Sequence, residues 1–85
     1  MKTKIQPIQF WPDYADTLSL ENGVLRPPPT YAYTLLNSTT GKRFKTDFVM
    51  MPEADWNAWP AGLGPDGDAN YQLDSICRTL NLTRA

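Results

Sequence analysis

The chain has 85 residues, eight Lys and Arg against nine Asp and Glu, and no histidine. Its formal charge of −1 supplies no global attraction to nucleic acid or to an anionic membrane, so any basic contact has to be local. A single cysteine excludes an internal disulfide, and the absence of histidine excludes imidazole as a general base or metal ligand. The length fits one small domain, residues 1–85, mainly β over 1–51 and mainly helical over 52–85. A chain this short has a modest core, and its large aromatics have to carry much of it. Residues 1–4 are not followed by the apolar region of a secretory signal, and no stretch approaches the ~20 apolar residues that span a bilayer. Synthesis in a cytoplasm is therefore expected.

Residues 5–11 read as a strand with Ile8 and Phe10 in phase. Pro7 cannot donate to a ladder, which assigns this strand to an edge. Asn22-Gly23 suits a type I′ turn between strands 17–21 and 24–26, which would set Leu20 opposite Leu25. Pro27-Pro28-Pro29 forces an extended crossing. Strand 30–36 places Tyr31, Tyr33 and Leu35 on one face. After the polar loop 37–41, strand 42–50 alternates again, with Phe44, Phe48 and Met50 expected against the core and Arg43, Lys45, Asp47 and Val49 outward.

The rhythm then changes from a period of two to helical spacing. Pro52 fits a first helical turn, Glu53 and Asp55 suit the positive end of its dipole, and Trp56 and Trp59 share a face. Pro60 ends this helix. The loop 61–67 is rich in Gly and Pro, and Asp68 is expected to cap a second helix from residue 69 onward. Leu73, Ile76, Cys77 and Leu80 follow the i, i+3, i+4, i+7 pattern. The expected fold is α+β: a small antiparallel sheet or sandwich of about four to five strands. A short Trp-containing helix follows it, and then a C-terminal amphipathic helix that packs on the sheet. The expected core comprises Phe10, Tyr31, Tyr33, Phe44, Phe48, Trp56, Trp59, Leu73, Ile76, Cys77 and Leu80.

Few residues suggest chemistry. Trp56 and Trp59 can stack on bases, sugars or proline rings, but their spacing is first that of core packing. Lys42-Arg43-Phe44-Lys45 combines charge with an aromatic ring, as single-strand binders do; alternation points Phe44 away from Arg43 and Lys45, which favours a partner-facing strand. Asp66, Asp68 and Asn70 imitate the start of a calcium loop, but Tyr71 and Cys77 stand where its glycine and terminal glutamate belong. A turn followed by a helix cap is the better reading. Cys77 has no histidine to activate it and lies on an apolar helix face. No pair of carboxylates sits in a motif that fixes its spacing. Asn37-Ser38-Thr39 and Asn81-Leu82-Thr83 match glycosylation sequons but are expected to be chance matches. No catalytic, cofactor or metal site is expected, and no small-molecule substrate.

Taken in order, Phe10-Trp11-Pro12, Thr17-Leu18-Ser19-Leu20, the proline crossing, the strand from Tyr31 to Leu36 and Trp56-x-x-Trp59 resemble parts of small uncharacterised proteins of tailed phages and prophages. The ending, Tyr71 through Ile76 with Leu80 and Leu82, adds to the resemblance. It implies a virion component of tail, neck or capsid, made in the host cytoplasm, and brings no catalytic residues with it. The expected role is that of a non-enzymatic structural or adaptor protein whose partners are other virion proteins or copies of itself, with no membrane involved. Lys42, Arg43, Lys45 and Asp47 are the candidate contacts, together with Ile8 in a segment 2–9 able to add a strand to a neighbour. Alternatives are a phage-encoded inhibitor of a host protein and a single-stranded nucleic-acid binder.

Overall fold

The computed structural model of the chain describes residues 1–24 and 26–85, with side chains described outside 22–24. Four strands come first: β1 (Lys2–Phe10), β2 (Asp13–Val24), β3 (Thr30–Leu36) and β4 (Arg43–Met50). Two helices follow, α1 (Glu53–Ala58) and α2 (Gly64–Thr79). The strands form one antiparallel meander in the order β1-β2-β3-β4. The molecule is thus an α+β fold with a single sheet, as the two hydrophobic rhythms imply. Among the described residues no helix is long and apolar enough to cross a membrane.

Register sets the core. Leu18 stands opposite Leu35, and Leu20 opposite Tyr33. Tyr31 faces Val49 on the other side of β3. All six are buried, and so are Ile5, Met51, Leu73, Ile76 and Cys77, which belong to the same cluster. The helical period of α2 turns Leu73, Ile76 and Cys77 onto the sheet face that β3 presents through Tyr31, Tyr33 and Leu35. The Tyr31 hydroxyl donates to Gln72 Oε1 at 2.6 Å and fastens helix to sheet.

Three local expectations change. The Asn22-Gly23 turn does not form: β2 runs through it, with Asn22 paired to Tyr31 and Val24 to Thr30 across a bulge. Cross-strand pairing over the length of β3 outweighs the local turn preference, and the reversal falls between Val24 and Thr30. The expected pairing of Leu20 with Leu25 lies outside the described residues, because residue 25 does. Second, α2 starts at Gly64, not after Asp68. Pro65 occupies its first turn, where a missing N–H costs nothing. Gly67 sits one turn above Leu63, and a Cβ there would approach the Leu63 Cβ to 2.8 Å.

The third change concerns β4. Val49, not Phe48, points inward; Phe48 is 70% and Met50 56% exposed. Residues 48–51 are all apolar, so alternation alone cannot set their phase. The pairing of Val49 with the buried Tyr31 does. A bulge between Arg43 and Lys45 further disturbs the strand. Phe44 remains half-buried and stacks on Phe10, with ring centroids 5.0 Å apart.

Candidate functional site

Two features stand out from the packed core, and the first is the outer strip of β4. Lys45, Thr46, Asp47, Phe48 and Met50 are all exposed. Phe48 and Met50 lie on one sheet face, in register with Ala32 and Thr30. Lys45 and Asp47 lie on the other, in register with Leu35 and Tyr33. The Asp47 carboxylate accepts the adjacent Phe48 N–H at 2.8 Å. Two large apolar side chains side by side on a strand edge form a contact surface of a kind that soluble chains usually cover.

The second feature is a shallow groove of about 560 Å³ lined by Trp56, Trp59, Pro60, Ala61 and Asp68, among others. Pro60 follows the C-cap of α1, and α2 starts four residues later, so the connection folds back beside the two indoles. Trp56 meets Trp59 edge-on at 5.7 Å, and Trp59 stacks on Tyr71 at 5.2 Å. Trp59 Nε1 donates to Asp68 Oδ1 at 2.9 Å. The Tyr71 hydroxyl donates to the Asp55 carbonyl. Trp59 is therefore a fixed wall, whereas Trp56 is 36% exposed and α1 has no buried residue. The expected placement of Trp56 in the core is corrected: α1 is only six residues long and lies outside the main cluster.

Beside the groove, Asp55 Oδ2 accepts the Ser75 hydroxyl at 2.6 Å and lies 3.3 Å from Arg78. The Ser75 hydrogen bond holds the Asp55 carboxyl below the usual carboxylate range, with desolvation opposing it and Arg78 adding to it. This cluster ties α1 to α2. A groove with indole walls and the Asp68 carboxylate can accept a proline ring or the stem of a basic side chain.

The remaining candidates separate. Lys42 Nζ lies 5.4 Å from the centroid of Phe44. With Phe10 also stacked on that ring, Phe44 is committed to internal contacts and is not free to stack on a base. Arg43 turns instead toward a polar concavity of about 320 Å³ that it shares with Lys2, Glu21 and Thr34. Ile8 pairs with Ala15 and packs against the core, so it is not an exposed contact. Asp66, Asp68 and Asn70 lie within α2; Asp68 holds Trp59 and Asn70 Oδ1 accepts from Arg84. Asp68 is therefore not a helix cap. Leu80 is half-buried at the end of α2, and Cys77 is buried. Burial pushes the Cys77 thiol up, with the Arg84 charge opposing in part.

Sequence reasoning missed the sealing of β1. Beyond α2 the chain returns along β1: Gln6 N–H donates to the Thr83 carbonyl at 2.7 Å and Ala85 N–H to the Lys4 carbonyl at 3.0 Å. Ile5 and Arg84 form the bridge between them. Nothing in the short run Asn81-Leu82-Thr83-Arg84 announces a strand, and Pro7 marks β1 simply as an edge. Segment 2–9 is therefore occupied at its middle by this chain's own residues. No protein-family model matches the chain, and neither a curated protein nor a solved structure shows significant similarity to it.

Proposed function

We propose that this chain is a non-enzymatic structural or adaptor protein that works through protein–protein contacts. The sequence resemblance suggests a phage virion, in tail, neck or capsid, as its setting. The observation that carries the reading is the outer strip of β4, where Phe48 and Met50 stand side by side in solvent at 70% and 56% exposure. Burying what remains exposed of such a pair against a neighbour recovers about 1–2 kcal/mol per side chain. That is a large gain for a chain whose own core is small. The test is quantitative mass spectrometry of purified particles carrying the double variant Phe48→Ser with Met50→Ser. Both positions are exposed, so the variant keeps its circular dichroism spectrum, and its copy number per particle falls at least about tenfold. Unchanged incorporation would sink the reading.

The Trp56 groove favours a second reading, a small regulatory binder of a host protein. In that case Trp56→Ala abolishes recovery of a single host partner from lysate, while the β4 double variant leaves it intact.

A further inference from the structure

The two edges of the sheet are treated differently. The outer edge of β1 is covered around Ile5 by residues 83–85, which Arg84 holds through Thr3, Asp74 and Asn70. Among the described residues β4 pairs only with β3. Met51 N–H donates to the Pro29 carbonyl on the β3 side. By the alternation of an antiparallel ladder, Val49 and Asp47 then also aim at β3, while Thr46, Phe48 and Met50 direct their N–H and C=O groups away from it. The outward Phe48 N–H is capped by the neighbouring Asp47 carboxylate, at 2.8 Å.

We infer that this edge binds a second copy of the chain, the two β4 strands pairing antiparallel about a two-fold axis at Thr46. The inference deepens the protein-contact reading above, on which it rests, by naming the partner. Symmetry restricts the choices. A two-fold perpendicular to a continuous sheet keeps each residue opposite one of the same face, so the axis must fall on a residue of the strand. An axis at Lys45 sets two lysines opposite each other, and one at Asp47 sets two aspartates together. An axis at Phe44 puts Arg43 against Lys45. An axis at Phe48 leaves Asp47 opposite Val49, with no charged pair formed. One at Val49 opposes Phe48 and Met50 but runs off the end of β4, setting Thr46 against Pro52, which has no N–H to give.

At Thr46 the sequence is complementary to itself. Each Lys45 lies opposite Asp47 of the second copy, and the two threonines meet at the axis; the regular ladder stops there, because Phe44 sits at the bulge and is held by Phe10. Opposite charges directly across a ladder stabilise it, and like charges destabilise it. The monomer's own cap also fits this exchange. When Phe48 N–H turns to the opposite strand, Asp47 is released to meet Lys45. The joined sheet has eight strands, and a contact confined to one strand edge belongs to the weak, concentration-dependent class.

Sedimentation velocity on the full chain tests the pairing. The 9.6 kDa chain is expected to move toward twice that mass as its concentration approaches about 1 mM. Lys45→Asp or Asp47→Lys alone places like charges at both pairs and weakens the dimer at least about tenfold. Mixing the two single variants in equal amounts restores opposite charges at both positions, and so does combining them in one chain. Circular dichroism of each variant confirms that these exposed changes leave the fold intact. A wild type that stays monomeric, single variants that dimerise normally, or a mixture that fails to recover would each overturn the inference. A monomer that still enters particles sinks the pairing and spares the adaptor role. A dimer absent from particles does the reverse.

Discussion

Tyr31 joins sheet to helix with a ring that is only 1% exposed and a hydroxyl bonded to Gln72. Burial pushes its hydroxyl from 10.0 up to about 12. Because the folded state resists forming the phenolate, this side chain's contribution is complete below pH 10 and is lost as the pH rises through about 12. The alkaline loss amounts to about 2–3 kcal/mol. Tyr31→Phe is expected to cost about 1 kcal/mol at neutral pH through the lost hydrogen bond, and to fall less steeply than the wild type above pH 10. Urea unfolding at a series of pH values measures both; parallel alkaline slopes in the two proteins would show that Tyr31 is not the group responsible. The sequon asparagines are explained at this scale too. Asn37 is buried, donating to Asp13 and the Tyr14 carbonyl while accepting from Thr39 and Thr40 N–H. Asn81 takes φ 58° just past α2, a left-handed position that asparagine tolerates better than most residues.

At the level of elements, the clamp on β1 makes the sharpest prediction. Arg84 Nε donates to Thr3 Oγ1 at 3.0 Å, and its two other nitrogens reach Asp74 and Asn70 on α2. Arg84→Ala removes these ties from a half-exposed site and should cost about 1–2 kcal/mol. Amide exchange at Gln6, whose N–H is bonded to Thr83, should speed up more than exchange at Leu20, in the core of the sheet. Equal acceleration at both would mean that the segment opens only with the whole molecule. The hairpin of β3 and β4 and the apolar stripe of α2 were legible in the sequence because each alternates against polar neighbours over a full element. The face of Phe48 was not, because residues 48–51 carry no polar marker of phase. The start of α2 was hidden in a Gly-Pro stretch that normally signals loop. The groove was legible as residue types in Trp56 and Trp59, but its form depends on Asp68 and Tyr71, which meet Trp59 only after α2 docks.

Across the whole molecule, the Phe10–Phe44 stack reports the shape of the sheet. β1 and β4 are its first and last strands, and three strand spacings in a flat sheet would hold them about 14 Å apart. Their rings nevertheless stack at 5.0 Å and 13°, so the two side chains reach toward each other across a twisted sheet whose β1 and β4 remain unpaired with one another. Twist accumulates across a sheet and brings such side chains closer, and the bulges in β1 and β4 strengthen it. An aromatic pair that bridges such a sheet should be energetically coupled, although 34 positions separate its members in the sequence. Phe10→Ala and Phe44→Ala should each cost less than the about 3–5 kcal/mol of a fully buried phenylalanine, since both rings are half-buried. The double variant should fall short of their sum by about 0.5–1.5 kcal/mol. Phe48→Ala, on the same strand but pointing to solvent, supplies the control and should add to Phe10→Ala within error when unfolding is measured on dilute protein. Additivity in the Phe10 and Phe44 cycle as well would mean that the two rings do not stack in solution and do not tie β1 to β4.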